Sequence, residues 1–130
     1  QAIRAALRDA GLKPAEVGHI NAHGLATHDC DTDEARAIRE VFGPLAESVP
    51  VVAFKSYFGN LGAGSGTVEL IASVLALREG RLPRTLNNEA PDTACGLAVT
   101  RDNETPPGRS FLNLSVTPQG QAAVLCITAA

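Results

Sequence analysis

A chain of 130 residues with 45% apolar content is the size of one domain and can bury a real core. A net charge of −3 and an aromatic content of 4% leave no basic footprint for nucleic acid or an anionic membrane, and no surface for stacking bases. The longest apolar run, 70–77, falls far short of the roughly 20 residues that cross a bilayer.

The chain opens with Gln1 already inside a helical pattern, without a signal-peptide signature, and is expected to be a piece of a longer protein. Ile3, Ala6, Leu7 and Ala10 recur on one helical face, and Gly11 with Pro14 close behind marks the helix end. "VGHINAHG" reads as a short strand ending at a glycine. Asp29, Asp31, Asp33 and Glu34 load acid onto the start of the next helix, where the dipole favours it. That helix is expected to turn Ala35, Ile38, Val41 and Phe42 inward and to stop at Gly43-Pro44. "VPVVAF" predicts a buried strand. The spacing over 61–78 predicts a long helix, apolar nearly all round and therefore covered on most sides. The stretch 82–108 is proline-rich and polar, with one short strand at 96–100. "RSFLNLSV" and "QAAVLCITA" predict two strands joined by a turn at "TPQG". The order α-β-α-β-α-loop-β-β implies a mixed sheet with helices on both faces.

Chemistry-bearing residues concentrate in two places. "NAHGLATHDCD" holds His23, His28, Asp29, Cys30 and Asp31, all potential metal donors, but their spacing matches no zinc pattern. Cys30, Cys95 and Cys126 are an odd number without CxxC spacing, which argues against disulfides and structural zinc and for a reducing, cytoplasmic compartment. Cys30, between two aspartates, is expected to hold its proton; Cys95 has no basic neighbour in sequence; Cys126 reads as core. His23 falls at a strand end beside a glycine, where α/β sheets present functional groups. A neutral imidazole there donates to a developing oxyanion or moves a proton; a histidine satisfied within the fold is the alternative. Lys55 closes "VPVVAF" and, taken alone, is expected to snorkel to water. "GNLGAGSG" lacks the Gly-Lys-Ser/Thr of a phosphate loop, and its glycines are expected to bring a helix N-terminus close to another backbone.

In order, these segments resemble the C-terminal half of the β-ketoacyl-acyl carrier protein synthases. The family's first histidine motif, Asn-Ala-His-Gly-Thr, is similar to "NAHGL" with His23, and its acidic follow-up to "DTDEARAI" with Asp31 and Glu34. Its lysine motif is similar to "FKSYFGN" with Lys55, and its glycine-led helix to "LGAGSGTVELIASVLALREGRLP". "RTLNNEAPD" also fits, so the resemblance runs the length of the chain. It implies an α/β thiolase-like half-domain with a mixed five-stranded sheet and helices on both faces.

The family joins an acyl group to a malonyl unit with loss of CO₂, in fatty acid or polyketide synthesis. A cysteine in the N-terminal half, outside this chain, carries the acyl thioester. Two histidines donate to the malonyl carbonyl, and the lysine supports them. By resemblance His23 is the first histidine, Lys55 the lysine, and Asn60 stands where the second histidine follows the motif's glycine. Asp31 and Glu34 are implied in support. Ser115, Val116, Thr117, Pro118 and Gln119 occupy the place of a gating loop rich in glycine and phenylalanine, which here has no phenylalanine in 115–121. No cofactor or metal is implied. The implied partners are acyl carrier protein thioesters, the N-terminal half, and a homo- or heterodimer mate. Alone, the chain is expected to lack synthase activity and to self-associate through an uncovered apolar face. The alternative is a non-catalytic partner subunit of the chain-length-factor type.

Overall fold

The computed structural model describes residues 1–129. Helix α1 (Ala2–Ala10) buries Ile3 and Leu7, one turn apart on one face, and ends at Gly11 in the left-handed conformation. Strand β1 (His19–Asn21) is buried throughout, as befits a strand with neighbours on both sides. Helix α2 (His28–Phe42) follows, then β2 (Pro50–Val52), the one-turn helix α3 (Lys55–Phe58), and α4 (Ser65–Glu79). After the long connection come β3 (Ala98–Val99), β4 (Ser110–Val116) and β5 (Ala122–Thr128).

The five strands lie in the order β3-β2-β1-β4-β5. The first three pairings are parallel, and β4–β5 is an antiparallel hairpin, so the sheet is mixed. Alternation along the strands builds two unlike faces. Ile20, Val51, Leu112 and Leu114 meet Ile3 and Leu7 of α1 and Ile38 and Phe42 of α2 in the main apolar cluster. The opposite face carries a smaller cluster of Val52, Phe54, Ala76 and Leu82, and beside it a polar layer. There Asn21 Nδ2 donates to Asn113 Oδ1 at 2.5 Å, and Asn113 Nδ2 donates to the Gly66 carbonyl of α4 at 3.2 Å.

Several expectations are corrected. Ala10 is exposed and Val41 only half-buried, because the helices bury narrow stripes. The strand predicted over "VPVVAF" ends at Val52, and Lys55 opens α3. The helix predicted over 61–78 begins at Ser65, after a single 3₁₀ turn at Gly62–Gly64. Its orientation reverses the expectation of a covered apolar rod: Ser65, Glu69, Ser73 and Ala76 face the protein, while Ile71 and Leu75 are 54% and 50% exposed. The sheet face beneath α4 is polar, so α4 turns its polar side to it. The glycines of 59–66 do not serve close approach either: a Cβ on Gly62 or Gly64 would meet open space, and one on Gly66 would make ordinary contact with Ser115. No helix among the described residues is long and apolar enough to cross a membrane.

Candidate functional site

The site is built where β1 and β2 end. The backbone continues one residue beyond β1 in ladder geometry, with Ala22 N–H donating to the Val52 carbonyl at 2.9 Å. The chain then turns at Gly24, at a φ of 49° and with room for no side chain, since a Cβ there would lie 2.8 Å from Ala53 Cβ. Glu34 of α2 holds this turn from one side: its carboxylate accepts His23 N–H at 2.7 Å and Gly24 N–H at 2.9 Å. Burial pushes the Glu34 carboxyl up, and the two backbone donors pull it back.

Lys55 holds the turn from the other side. It is 7% exposed rather than snorkelled to water, because partners from two other elements receive its ammonium. Nζ donates to the His23 carbonyl at 2.7 Å and to Glu69 Oε1 of α4 at 2.5 Å, and lies 3.3 Å from His23 Nδ1. Glu69 is fully buried; burial raises its carboxyl, and the Lys55 bond opposes that rise. At the end of β4, Val116 N–H donates to the same Nδ1 of His23 at 3.4 Å. A backbone N–H can only donate, so Nδ1 is the unprotonated nitrogen and the ring proton resides on Nε2. Burial first, and then the Lys55 ammonium, lower the His23 pKa and keep the ring neutral.

Asn60 stands at the opening of the turn that leads into α4. Its Oδ1 accepts Gly62 N–H at 3.0 Å and the Ser65 hydroxyl at 3.1 Å. A cavity of about 520 Å³ is lined by Gly24, Asp31, Glu34, Lys55 and Asn60 on one side, and by Leu86 and Cys95 of the long connection on the other. Asp31 joins the wall with a buried Oδ1 that has no protein partner; burial raises its carboxyl.

Thus Glu34 and Lys55 are each bonded to His23, from opposite sides; Asn60 and Asp31 share a cavity wall with Glu34 and Lys55, and Val116 reaches the histidine. Thr117 and Gly120 close the β4–β5 turn at its exposed tip, with Gly120 N–H donating to the Thr117 carbonyl at 2.9 Å. The potential metal donors diverge: His28 pairs with Asp29 in solvent, Cys30 lies against a second cavity beside α1, and no three such side chains converge among the described residues. Burial and nearby carboxylates raise the Cys30 thiol, as its neighbours in sequence imply. Residue patterns overlooked Glu69. Its signal was a lone acid in the apolar run "VELIASVLAL".

Residues 1–89 match the family model described as the C-terminal domain of β-ketoacyl synthases. The chain is 45% identical over 97 residues to a 3-oxoacyl-[acyl-carrier-protein] synthase 2 of Synechocystis sp., covering 75% of this chain and 23% of that protein. It is 41% identical over 99 residues to nodulation protein E of Rhizobium meliloti, covering 76% and 25%. The chain therefore spans about a quarter of the length of these relatives. Among solved structures, it superimposes on the ishigamide ketosynthase/chain length factor with a TM-score of 0.92 at 33% identity, covering 98% of this chain and 32% of the other. A type II polyketide ketosynthase, described in complex with its acyl-carrier protein, gives 0.93 at 31% identity, covering 98% and 32%.

Proposed function

The chain belongs to the β-ketoacyl synthase family, as its C-terminal domain, and from that premise we propose that it supplies the oxyanion side of a decarboxylative condensation. In this reading a malonyl thioester loses its carboxylate as CO₂. The electron pair of the broken C–C bond passes into an enolate, whose oxygen takes the negative charge. His23 donates its Nε2 proton to that oxygen, and Asn60 donates from Nδ2 in place of the family's second histidine. The enolate carbon then attacks an acyl thioester held by a cysteine of the N-terminal half, and the cysteine thiolate leaves. Lys55 fixes the histidine backbone and keeps the ring neutral, and Glu34 holds the turn that carries it.

The observation that carries the reading is the pair of donors on His23 Nδ1, which leaves Nε2 as the protonated nitrogen of a neutral ring. Neutral donors aimed at developing charge are worth about 10²–10³ in rate each. The test is CO₂ release from malonyl-carrier protein by the protein that carries both halves. Release above background, lowered by His23→Ala by about 10²-fold or more, is the expected result. Background release that His23→Ala leaves unchanged defeats the reading.

A second reading is a partner subunit that shapes the acyl tunnel of an active synthase. Asn60 at the second histidine position favours it, since an amide cannot titrate near neutral pH. So does Pro118 in the turn that replaces a glycine-rich gate, because proline stiffens it. Two of the structural neighbours are described as ketosynthases with a chain length factor. This reading expects stable co-purification with an active synthase, and exclusive self-assembly counts against it.

A further inference from the structure

We propose that Ser65 is a positioning residue for Asn60, its hydroxyl deciding which end of the Asn60 amide is free to meet the substrate. The proposal rests on the reading of Asn60 as an oxyanion donor and deepens it. An asparagine can present either a carbonyl oxygen or an NH₂, and only the NH₂ serves a developing negative charge. Backbone donors fix the choice, because a main-chain N–H cannot accept. Gly62 N–H points at one atom of the Asn60 amide from 3.0 Å, so that atom is Oδ1. Leu61 N–H points at Ser65 Oγ from 2.7 Å, so Oγ accepts there and turns its own proton elsewhere. The acceptor within its reach is Asn60 Oδ1, 3.1 Å away.

The Asn60 carbonyl is thereby held by two donors of its own turn, and Nδ2 keeps both protons for the cavity that Asn60 lines. Ser65 is 3% exposed, so water does not readily replace its hydroxyl. Asn60 itself is exposed, and without Ser65 one N–H alone resists rotation of the amide. Ser65 is the first residue of α4, so the helix that buries Glu69 against Lys55 also sets Asn60. One rigid element thus registers both sides of the site.

The experiment uses the intact protein bearing this domain, with malonyl-carrier protein as substrate and the side-chain NH₂ signals of Asn60 followed by NMR. Ser65→Ala is expected to lower kcat for decarboxylation by about tenfold, a part of the loss that follows removal of a whole donor. KM is expected to stay within about twofold, because uniform binding is untouched. Added to Asn60→Ala, Ser65→Ala is expected to cost less than about twofold more, because a residue that acts through another falls silent when the other is gone. The Asn60 NH₂ signals shift in Ser65→Ala and return in Ser65→Thr. If Ser65→Ala disrupts the turn, the isosteric pair Ser65→Thr and Ser65→Val repeats the comparison with only the hydroxyl differing. Equal losses with and without Asn60, or NH₂ signals unmoved by loss of the hydroxyl, overturn the proposal. Absence of decarboxylation by the unsubstituted protein overturns the oxyanion reading instead, and the NMR signals then judge Ser65 by themselves.

Discussion

His19 and His23 lie four residues apart, are both buried, and meet different fates. His23 has an ammonium and a backbone N–H on its Nδ1, and its own backbone N–H is held by Glu34. His19 is wholly enclosed: its ring stacks on Phe111 with centroids 5.0 Å apart, and its Nδ1 donates to the Pro107 carbonyl at 2.8 Å. Its Nε2 is buried without a partner. Burial lowers the His19 pKa to about 4, against the pull of the Pro107 carbonyl in the other direction. The folded value lies below the unfolded value of 6.5, so the unfolded chain takes up the proton first as pH falls. The stability tied to a neutral His19 is therefore fully present above pH 6.5 and drains away as pH falls towards about 4. A shift of that size is worth about 3 kcal/mol. His19→Phe keeps an aromatic ring on Phe111 and removes the titration. The difference in urea midpoint between the native protein and His19→Phe should move in the variant's favour between pH 7.5 and pH 4.5. A difference that stays constant over that range shows that His19 does not titrate on unfolding.

At the scale of elements, the tightest joint lies between the start of β1 and the end of the long connection. Gly18 N–H donates to the Ser110 carbonyl at 3.0 Å, and Ser110 Oγ donates to the Glu16 carbonyl at 2.7 Å. A Cβ on Gly18 would lie 2.5 Å from the Pro107 carbonyl oxygen and 2.8 Å from that of Ser110. Both obstacles are backbone, so relief requires β1 and β4 to part. Gly18→Ala should therefore destabilise by about 1–3 kcal/mol, the usual range for overpacking. It should also loosen the His19 bond to Pro107. A thermal midpoint within one degree or so of the native one would mean that the joint yields freely. Elements differed in how plainly the residues announced them. The β4–β5 hairpin, the acid-loaded start of α2 and the Gly11 and Gly80 helix ends follow from local rules and are found in place. Strands β1 and β2 are only three residues long, too short for a period to fix their ends, so the strand expected to run up to Lys55 stops at Val52 and Lys55 opens α3 instead. Helix α4 is apolar on most of its surface, which gives no direction to its polar side. Its orientation came instead from Asn21 and Asn113, two polar residues inside strands. The site divides in the same way. The motif order brought out His23 and Lys55. The burial of Lys55 depends on Glu69, fourteen residues on and in another element, which no local pattern connects to it.

For the molecule as a whole, the orientation of α4 has a cost in water. Leu61, Ile71, Leu75 and Leu125 are each about half exposed, on α4, on the turn before it and on the edge strand β5. Fully burying such a side chain is worth about 1.5–3 kcal/mol, so completing the burial of these four gains a few kcal/mol in all. Association costs about 4–15 kcal/mol in lost freedom before any contact is counted. The gain from one copy covering these residues is of the same order as the smallest such cost. The chain expressed by itself should therefore self-associate weakly and reversibly rather than form a tight dimer. Sedimentation velocity should show a mean mass that rises with protein concentration over the micromolar to millimolar range. Ile71→Glu with Leu75→Glu places two charges on the outward side of α4 and should hold the chain monomeric with an unchanged circular dichroism spectrum. These positions face away from Glu69 and Lys55, so the buried pair is left alone. A single monomeric mass for the native chain across that range would show that the exposed side of α4 tolerates water unaided.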